Sequence, residues 1–350
     1  MPLRGAFCFL NMSQAKFIFI IPPFSAFASG GNVFNERLTN ALEKAGIEVE
    51  RVDFQQLDQI ATHSTDRIAI LDSLFLDKLN ASPDALSAFS KKYLLVHFLP
   101  RMFPPDKEKF ERQERPLLEL FDGLVVTSEF SKNYFLEKGL QKSIVVVPPA
   151  CEMSAAVLPS GSLRASRSVH CLLVANLVAT KGILPFFQAL AKATWRGGEH
   201  LQITLAGSDN IEPDYAEHCK QFWNSDLWLK NITRYAGILP HQELAKLYPS
   251  TDLFISTSFF ETYGMALQEA RFFGLPILAI RGGNVAFHVQ ENQNGRLFSD
   301  PENLVAFLGE LVENEQLLKK FQLAARQLKP VENYSWKVAA AIFLRHWVKR

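Results

Sequence analysis

Phe259-Phe260-Glu261-Thr262-Tyr263-Gly264-Met265-Ala266-Leu267-Gln268-Glu269-Ala270, followed by Gly274-Leu275-Pro276, is the stretch on which the reading of this chain turns. Just before it, Asp252-Leu253-Phe254-Ile255-Ser256-Thr257 is short and apolar between polar ends, the pattern of a buried strand of a parallel sheet. A loop and a helix are predicted to follow. Gly264 marks the turn, Met265 to Phe273 carries good helix formers, and Gly274 with Pro276 ends the helix before the next apolar run, Ile277-Leu278-Ala279-Ile280. Glu261 then lies in the loop at the carboxyl end of a strand, and Glu269 lies over a turn into the helix. Open α/β sheets bind ligands outside the carboxyl ends of their strands, where a helix N-terminus offers free N–H groups to a phosphate. Two carboxylates beside a phosphate repel it, so they suit the hydroxyl donors of attached sugars. Alone, either glutamate reads better as a helix-terminal acid or a solvated helix residue. What lifts the pair is the spacing of seven residues between them, inside Glu-Thr-Tyr-Gly and Gln-Glu-Ala.

Working outward, 350 residues suffice for two domains of ordinary size, each with its own core. The composition is globular, 48% hydrophobic and 21% charged, and a net charge of +1 gives no electrostatic case for nucleic acid as the main partner. Cys8, Cys151, Cys171 and Cys219 are far apart without Cys-x-x-Cys spacing, which argues against a zinc site or a disulfide framework and fits a reducing cytoplasm. Gly5 to Leu10 imitates a signal peptide but is short and stops at Asn11. A start at Met12 puts Ser13-Gln14-Ala15-Lys16 directly before the first strand, making residues 1–11 an upstream extension or a mispredicted start; retention of Met1 in the native mass would end that idea. No apolar run reaches the ~18 residues of a transmembrane helix.

The rest of the chain alternates strands and helices. Lys16 to Ile21 is a buried strand, Pro22 to Gly31 a turn-rich loop, Asn35 to Ala45 a helix with Leu38, Leu42 and Ala45 on one face, and Val49 to Phe54 a second strand. Further strands are expected at Ile68–Leu71, Tyr93–Phe98, Gly123–Thr127 and Ser143–Val147. Ser154 to Ser168 is small, polar and broken by Pro159 and Gly161, as a domain linker is. A second alternation begins at His170-Cys171-Leu172-Leu173-Val174 and continues with Leu201–Ala206, Ile232–Ala236, the strand before Glu261, and Pro276–Ile280. Two similar α/β halves are indicated, without sequence repeats. Near the end, Trp336, Ala340, Phe343 and Trp347 fall on one helix face, which needs a partner.

The Glu261–Glu269 stretch resembles the signature of retaining glycosyltransferases of family 4, among the glycosyl transferases group 1. The resemblance implies an α/β GT-B fold, two Rossmann-like domains facing a central cleft with the C-terminal helix crossing back to the first domain. It divides the chain into an acceptor-binding domain 1–153, a linker 154–168, a nucleotide-sugar-binding domain 169–330 and a crossover helix 331–350. It covers nearly the whole second half and is looser in the first. In that family the first glutamate contacts the donor sugar and the second the ribose, which assigns those roles to Glu261 and Glu269, with Thr262, Tyr263 and Gly264 beside them on the donor.

Further site residues follow from the same resemblance. In Asn176-Leu177-Val178-Ala179-Thr180-Lys181-Gly182 the family has Gly-Arg-Leu, three residues, Lys-Gly, both bases holding the donor diphosphate. Lys181 matches, whereas Asn176 stands in the arginine's place and carries no charge. A hydrogen bond to a charged group contributes about 1.5 to 3 kcal/mol, so the departure implies a weakened donor site, compensation by a base such as Arg281, or loss of catalysis; weakening or compensation is favoured because Lys181, Glu261 and Glu269 occur together. His97, ending a strand, matches a histidine that contacts the transferred sugar, though such histidines are often core residues. Gly237-Ile238-Leu239-Pro240 resembles the base-binding loop, and Gly30-Gly31 the amino-terminal glycine loop near the diphosphate, though a glycine pair is commonly just a turn. Gly282 and Gly283 add to the far wall.

No Asp-x-Asp pair stands where a metal would hold donor phosphates, so no metal and no cofactor is expected. The implied chemistry moves a sugar from a nucleotide-sugar donor to a hydroxyl of a saccharide, lipid or other acceptor with retention. Arg101, Lys107, Lys109, Arg112 and Arg115 alternate with Glu108, Glu111 and Glu114, which reads as a solvated helix and implies at most a weak peripheral membrane contact. Two other readings stand beside the transferase: a catalytically weak or inactive transferase-like subunit supporting a partner enzyme, and a sugar-nucleotide epimerase.

Overall fold

The computed structural model describes residues 16–24, 29–57, 67–152, 168–195, 200–328 and 335–348, which form two compact units. One takes in the described residues from 30 to 150 with 16–24 and 335–348; the other takes in Ser29 and those from 151 to 328. The expected linker lies outside the described residues except for Ser168, as do residues 1–11.

The first unit is a parallel sheet of β1 (Lys16–Ile20), β2 (Glu48–Val52), β3 (Arg67–Asp72), β4 (Lys91–Val96), β5 (Gly123–Val126) and β6 (Ser143–Val146), ordered β2-β1-β3-β4-β5-β6. Phe17 through Ile20 are fully buried, as a strand covered on both faces requires. From β1 the chain steps to β2 on one side and then to β3 on the other, so the switch point lies at the carboxyl ends of β1 and β3. The connecting helix runs Gly30–Lys44, beginning five residues before the Asn35 expected from the apolar spacing. Gly30 and Gly31 therefore belong to its first turn and are not a loop. Glycine's poor helix propensity hides this start, and a Cβ on Gly31 would crowd the ring of His97 at 3.1 Å.

The helix Trp336–Val348 packs on this same unit, as the resemblance implied. Phe17 meets Phe343 at 5.4 Å and Trp347 at 5.3 Å, Tyr93 meets Trp347 at 4.3 Å, and Phe34 meets Trp336 at 5.5 Å, mostly edge-on as aromatic quadrupoles prefer.

The second unit is a parallel sheet of β7 (Val169–Val174), β8 (Leu201–Ala206), β9 (Thr233–Gly237), β10 (Leu253–Ser256), β11 (Ile277–Ile280) and β12 (Gly295–Phe298), ordered β12-β11-β10-β7-β8-β9. Alternate residues feed two cores: Cys171, Leu173, Leu253 and Ile255 into one, Leu172, Phe254, Ile277 and Ala279 into the other. Here β7 to β9 run one way and β10 lies on β7's other side, which puts the switch point at the carboxyl ends of β7 and β10.

Candidate functional site

The β7 and β10 loops meet at that switch point. The Lys181 ammonium donates to Glu261 Oε1 at 2.6 Å, with 26% and 19% of the two side chains exposed, so the pair is held but reachable. Backbone stitching keeps the loops together: Phe259 N–H donates to Thr180 O at 3.0 Å, and Thr257 Oγ1 donates to Lys181 O at 2.5 Å. Gly182 makes that approach feasible, since a Cβ on it would fall 2.3 Å from Thr257 O.

Glu261 is fixed from its other side by the loop after β11. It pairs with Gly283 in an isolated parallel bridge and its carbonyl accepts from Asn284 N–H at 2.7 Å. The carbonyl of Tyr263 accepts from Asn284 Nδ2 at 2.9 Å and from His288 Nε2 at 2.6 Å. His288 is fully buried, and desolvation pushes its pKa down to about 4, so the ring is neutral. Thr262 and the Gly264 turn, with φ +93 before the helix Met265–Phe272, complete the loop. Arg281 reaches Glu291 at 3.2 Å on the surface and thus already has a carboxylate partner.

Glu269 projects from that helix but is buried rather than solvated. Tyr248 donates to its Oε2 at 2.5 Å, and His241 Nε2 lies 3.8 Å from Oε1. Burial pushes its pKa up to about 7, against the opposing effect of the Tyr248 hydrogen bond. Tyr248 is held flat on Phe273, 5.0 Å between ring centres. Gly237 ends β9 at the same carboxyl end of the sheet, at φ +66, and Ile238-Leu239 follow it with Ile238 exposed. Asn176 holds two strand ends together, because its Oδ1 accepts from Ser208 N–H at 2.8 Å and so ties the β7 loop to the end of β8.

His97 belongs to the first unit, just past β4. Its Nε2 is 2.8 Å from Asn35 Oδ1, and Asn35 Nδ2 donates to Asp72 Oδ2 at 2.6 Å. Of the charges on 101–115, Arg112 pairs with Glu108, Arg115 with Glu111 and Lys109 with Asp106, so the surface is largely self-neutralised. Among the described residues no group of three His, Cys, Asp or Glu side chains is placed to hold a metal, and no helix is long and apolar enough to cross a membrane. Tyr248, His288, Asn284, Asn35 and Asp72 carry no motif of their own; only their contacts reveal them.

Two parallel α/β sheets, with a Lys–Glu pair at the second unit's switch point and the last helix returned to the first unit, make up an α/β fold of the GT-B class. Residues 162–328 match the family described as glycosyl transferases group 1. The chain is 34% identical over 110 residues to the sulfoquinovosyl transferase of Arabidopsis thaliana, covering 30% of this chain and 21% of that protein. It is 23% identical over 242 residues to the D-inositol 3-phosphate glycosyltransferase of Corynebacterium diphtheriae, covering 65% and 56%. The matches thus span less than two thirds of these curated relatives. Among solved structures, sucrose-phosphate synthase from Thermosynechococcus elongatus superposes with a TM-score of 0.73 at 16% identity, over 96% of this chain and 99% of that one. Anabaena HepE in complex with UDP-glucose gives 0.68 at 16% identity, over 96% and 100%.

Proposed function

We propose that this protein is a retaining, metal-independent glycosyltransferase that moves a sugar from a nucleotide-diphosphate sugar to a hydroxyl of a saccharide, lipid or other acceptor. The observation that carries the reading is the Lys181–Glu261 contact of 2.6 Å at the β7/β10 switch point, with Glu269 further along the following helix. A cation and a carboxylate there match the two ends of the bond to be broken. Lys181 binds the diphosphate and neutralises the charge that develops on its departing oxygen. Glu261 accepts hydrogen bonds from the sugar hydroxyls, and ionised Glu269 from the ribose. The anomeric carbon–oxygen bond to the diphosphate breaks, the acceptor oxygen bonds to that carbon on the same face, and its proton passes to the departing phosphate oxygen.

The UDP-glucose bound to the HepE neighbour supports a nucleotide sugar as donor and makes UDP-sugars the first to try. The test is nucleoside-diphosphate release from UDP-, GDP- and ADP-sugars, with saccharide and lipid acceptors and a chelator present. Acceptor-dependent release from one donor, insensitive to chelator and with the anomeric configuration kept in the product, is the expected result. Loss of release on chelation would overturn metal independence, and silence across the panel would overturn the enzyme reading.

A further inference from the structure

We propose that Asp72 and Asn35 are positioning residues that fix the tautomer of His97, leaving its Nδ1 as the acceptor for a hydroxyl of the sugar ligand. The ligand half of this rests on the glycosyltransferase reading above; the tautomer half stands on the first unit's geometry alone.

The three residues come from three places that the topology gathers at one switch point. Asn35 is on the helix that follows β1, Asp72 ends β3, and His97 follows β4. Asp72 is fully buried, and its Oδ1 accepts from Leu74 N–H at 2.9 Å, so the carboxylate is anchored by the backbone. Its Oδ2 takes an N–H of the Asn35 amide at 2.6 Å. Turning that amide over would set its oxygen against the carboxylate, two acceptors face to face, so its orientation follows from Asp72. The amide oxygen therefore faces His97, and at 2.8 Å from Nε2 it can only accept. Nε2 must carry the proton.

Burial favours the uncharged ring, with the Asp72 carboxylate 3.6 Å away opposing that effect. In a neutral ring protonated at Nε2, Nδ1 holds the lone pair, and Nδ1 makes no hydrogen bond among the described residues. The ring is also confined. Phe34 stands edge-on at 5.3 Å, Gly31 leaves only the space a Cβ would take, and the His97 backbone N–H donates to Ser73 Oγ at 3.1 Å. The side chain nevertheless keeps 13% of its surface exposed. Asp72 and Asn35 thus act through His97 without touching the ligand, and what Nδ1 selects is a hydrogen-bond donor, which a sugar hydroxyl is and a phosphate oxygen is not.

The test is long-range proton–nitrogen NMR of the full chain with labelled histidine, the His97 signals assigned by their disappearance in His97→Gln. The expected spectrum has a protonated Nε2 and a pyridine-like Nδ1 in the wild type and in Asp72→Asn, whose amide can still accept from Asn35. Asn35→Leu should give a mixture of tautomers and, in donor turnover, a kcat reduced about tenfold, the size of one lost hydrogen bond, with the KM for the nucleotide sugar little changed. A protonated Nδ1 in the wild type, or an unmixed Nε2–H form in Asn35→Leu, would overturn the proposal. The wild-type spectrum decides even if Asn35→Leu fails to fold. Absence of turnover in a wild type that shows the expected tautomer would count against the enzyme reading and the ligand half, and leave the positioning established.

Discussion

Glu269 is a carboxylate that the fold makes reluctant to ionise. Its ordinary value of 4.5 is raised to about 7 because the ionised form is buried, with the Tyr248 hydroxyl, His241 and the Cys151 thiol as its polar neighbours. The sign follows from proton binding. Between these two values the native protein holds a proton that the unfolded chain has lost, so this group's contribution to stability falls as pH rises from 4.5 to about 7 and is flat above. Glu269→Gln removes the effect. We expect the variant to be more stable than the wild type by on the order of 3 kcal/mol above about pH 7, with the difference vanishing towards acid pH. Denaturant unfolding at a series of pH values checks this, and a pH-independent difference would contradict it. The same variant should bind nucleotide roughly tenfold more weakly, because an ionised carboxylate accepts ribose hydroxyls better than an amide does. His288, depressed to about 4, works in the opposite sense between its folded and unfolded values and partly masks Glu269 in the wild type. The motif marked Glu269 as a candidate for the site. Its burial was not legible, because Tyr248 lies 21 residues upstream on another element and nothing local announces the contact.

At the scale of elements, the loops of the second unit are built by glycines that let backbones touch. Gly283 has φ +57, and a Cβ on it would lie 2.2 Å from Glu261 O; Gly46 has a similar φ of +82 but open space around it. Both glycines relieve left-handed strain, but only Gly283 also relieves a clash. Gly46→Ala should cost about 1 kcal/mol and leave turnover intact, whereas Gly283→Ala should cost about 3 kcal/mol and lower turnover by displacing Glu261. Equal costs in thermal unfolding would contradict the account. Strands with continuous apolar runs are readable within a residue or two at their ends. The strand that the sequence hides, β12, is Gly295-Arg296-Leu297-Phe298, too short and too polar to show a period. It pairs because Gly295 fits where a Cβ would meet Ile277 O at 2.0 Å, and because Arg296 lies over the Phe307 ring at 4.5 Å. The start of the helix at Gly30 is hidden for a related reason: two glycines lower local propensity, and the tertiary neighbour that crowds one of them, His97, is far along the chain.

At the scale of the whole molecule, the chain's last helix completes a core begun by its first strand. Phe343 is 1% exposed against Phe17 and Phe19, so Phe343→Ala should cost about 3 to 5 kcal/mol. That loss should fall on the transition of the first unit in calorimetry while the second unit's transition stays in place; a shift confined to the second unit would contradict the assignment. The helix face was legible from Trp336, Ala340, Phe343 and Trp347, but periodicity states only that a face is buried, and its partner came from the resemblance. The central claim concerns the second unit, where Lys181 and Glu261 are read as the two halves of one donor site. It is tested most directly by measuring nucleoside-diphosphate affinity and sugar-transfer turnover for wild type, Lys181→Ala and Glu261→Gln. The account predicts that Lys181→Ala weakens nucleotide binding by about tenfold to a hundredfold, and that Glu261→Gln binds nucleotide as well as the wild type while turning over roughly a hundredfold more slowly. Unchanged affinity in the first variant together with unchanged turnover in the second would contradict it.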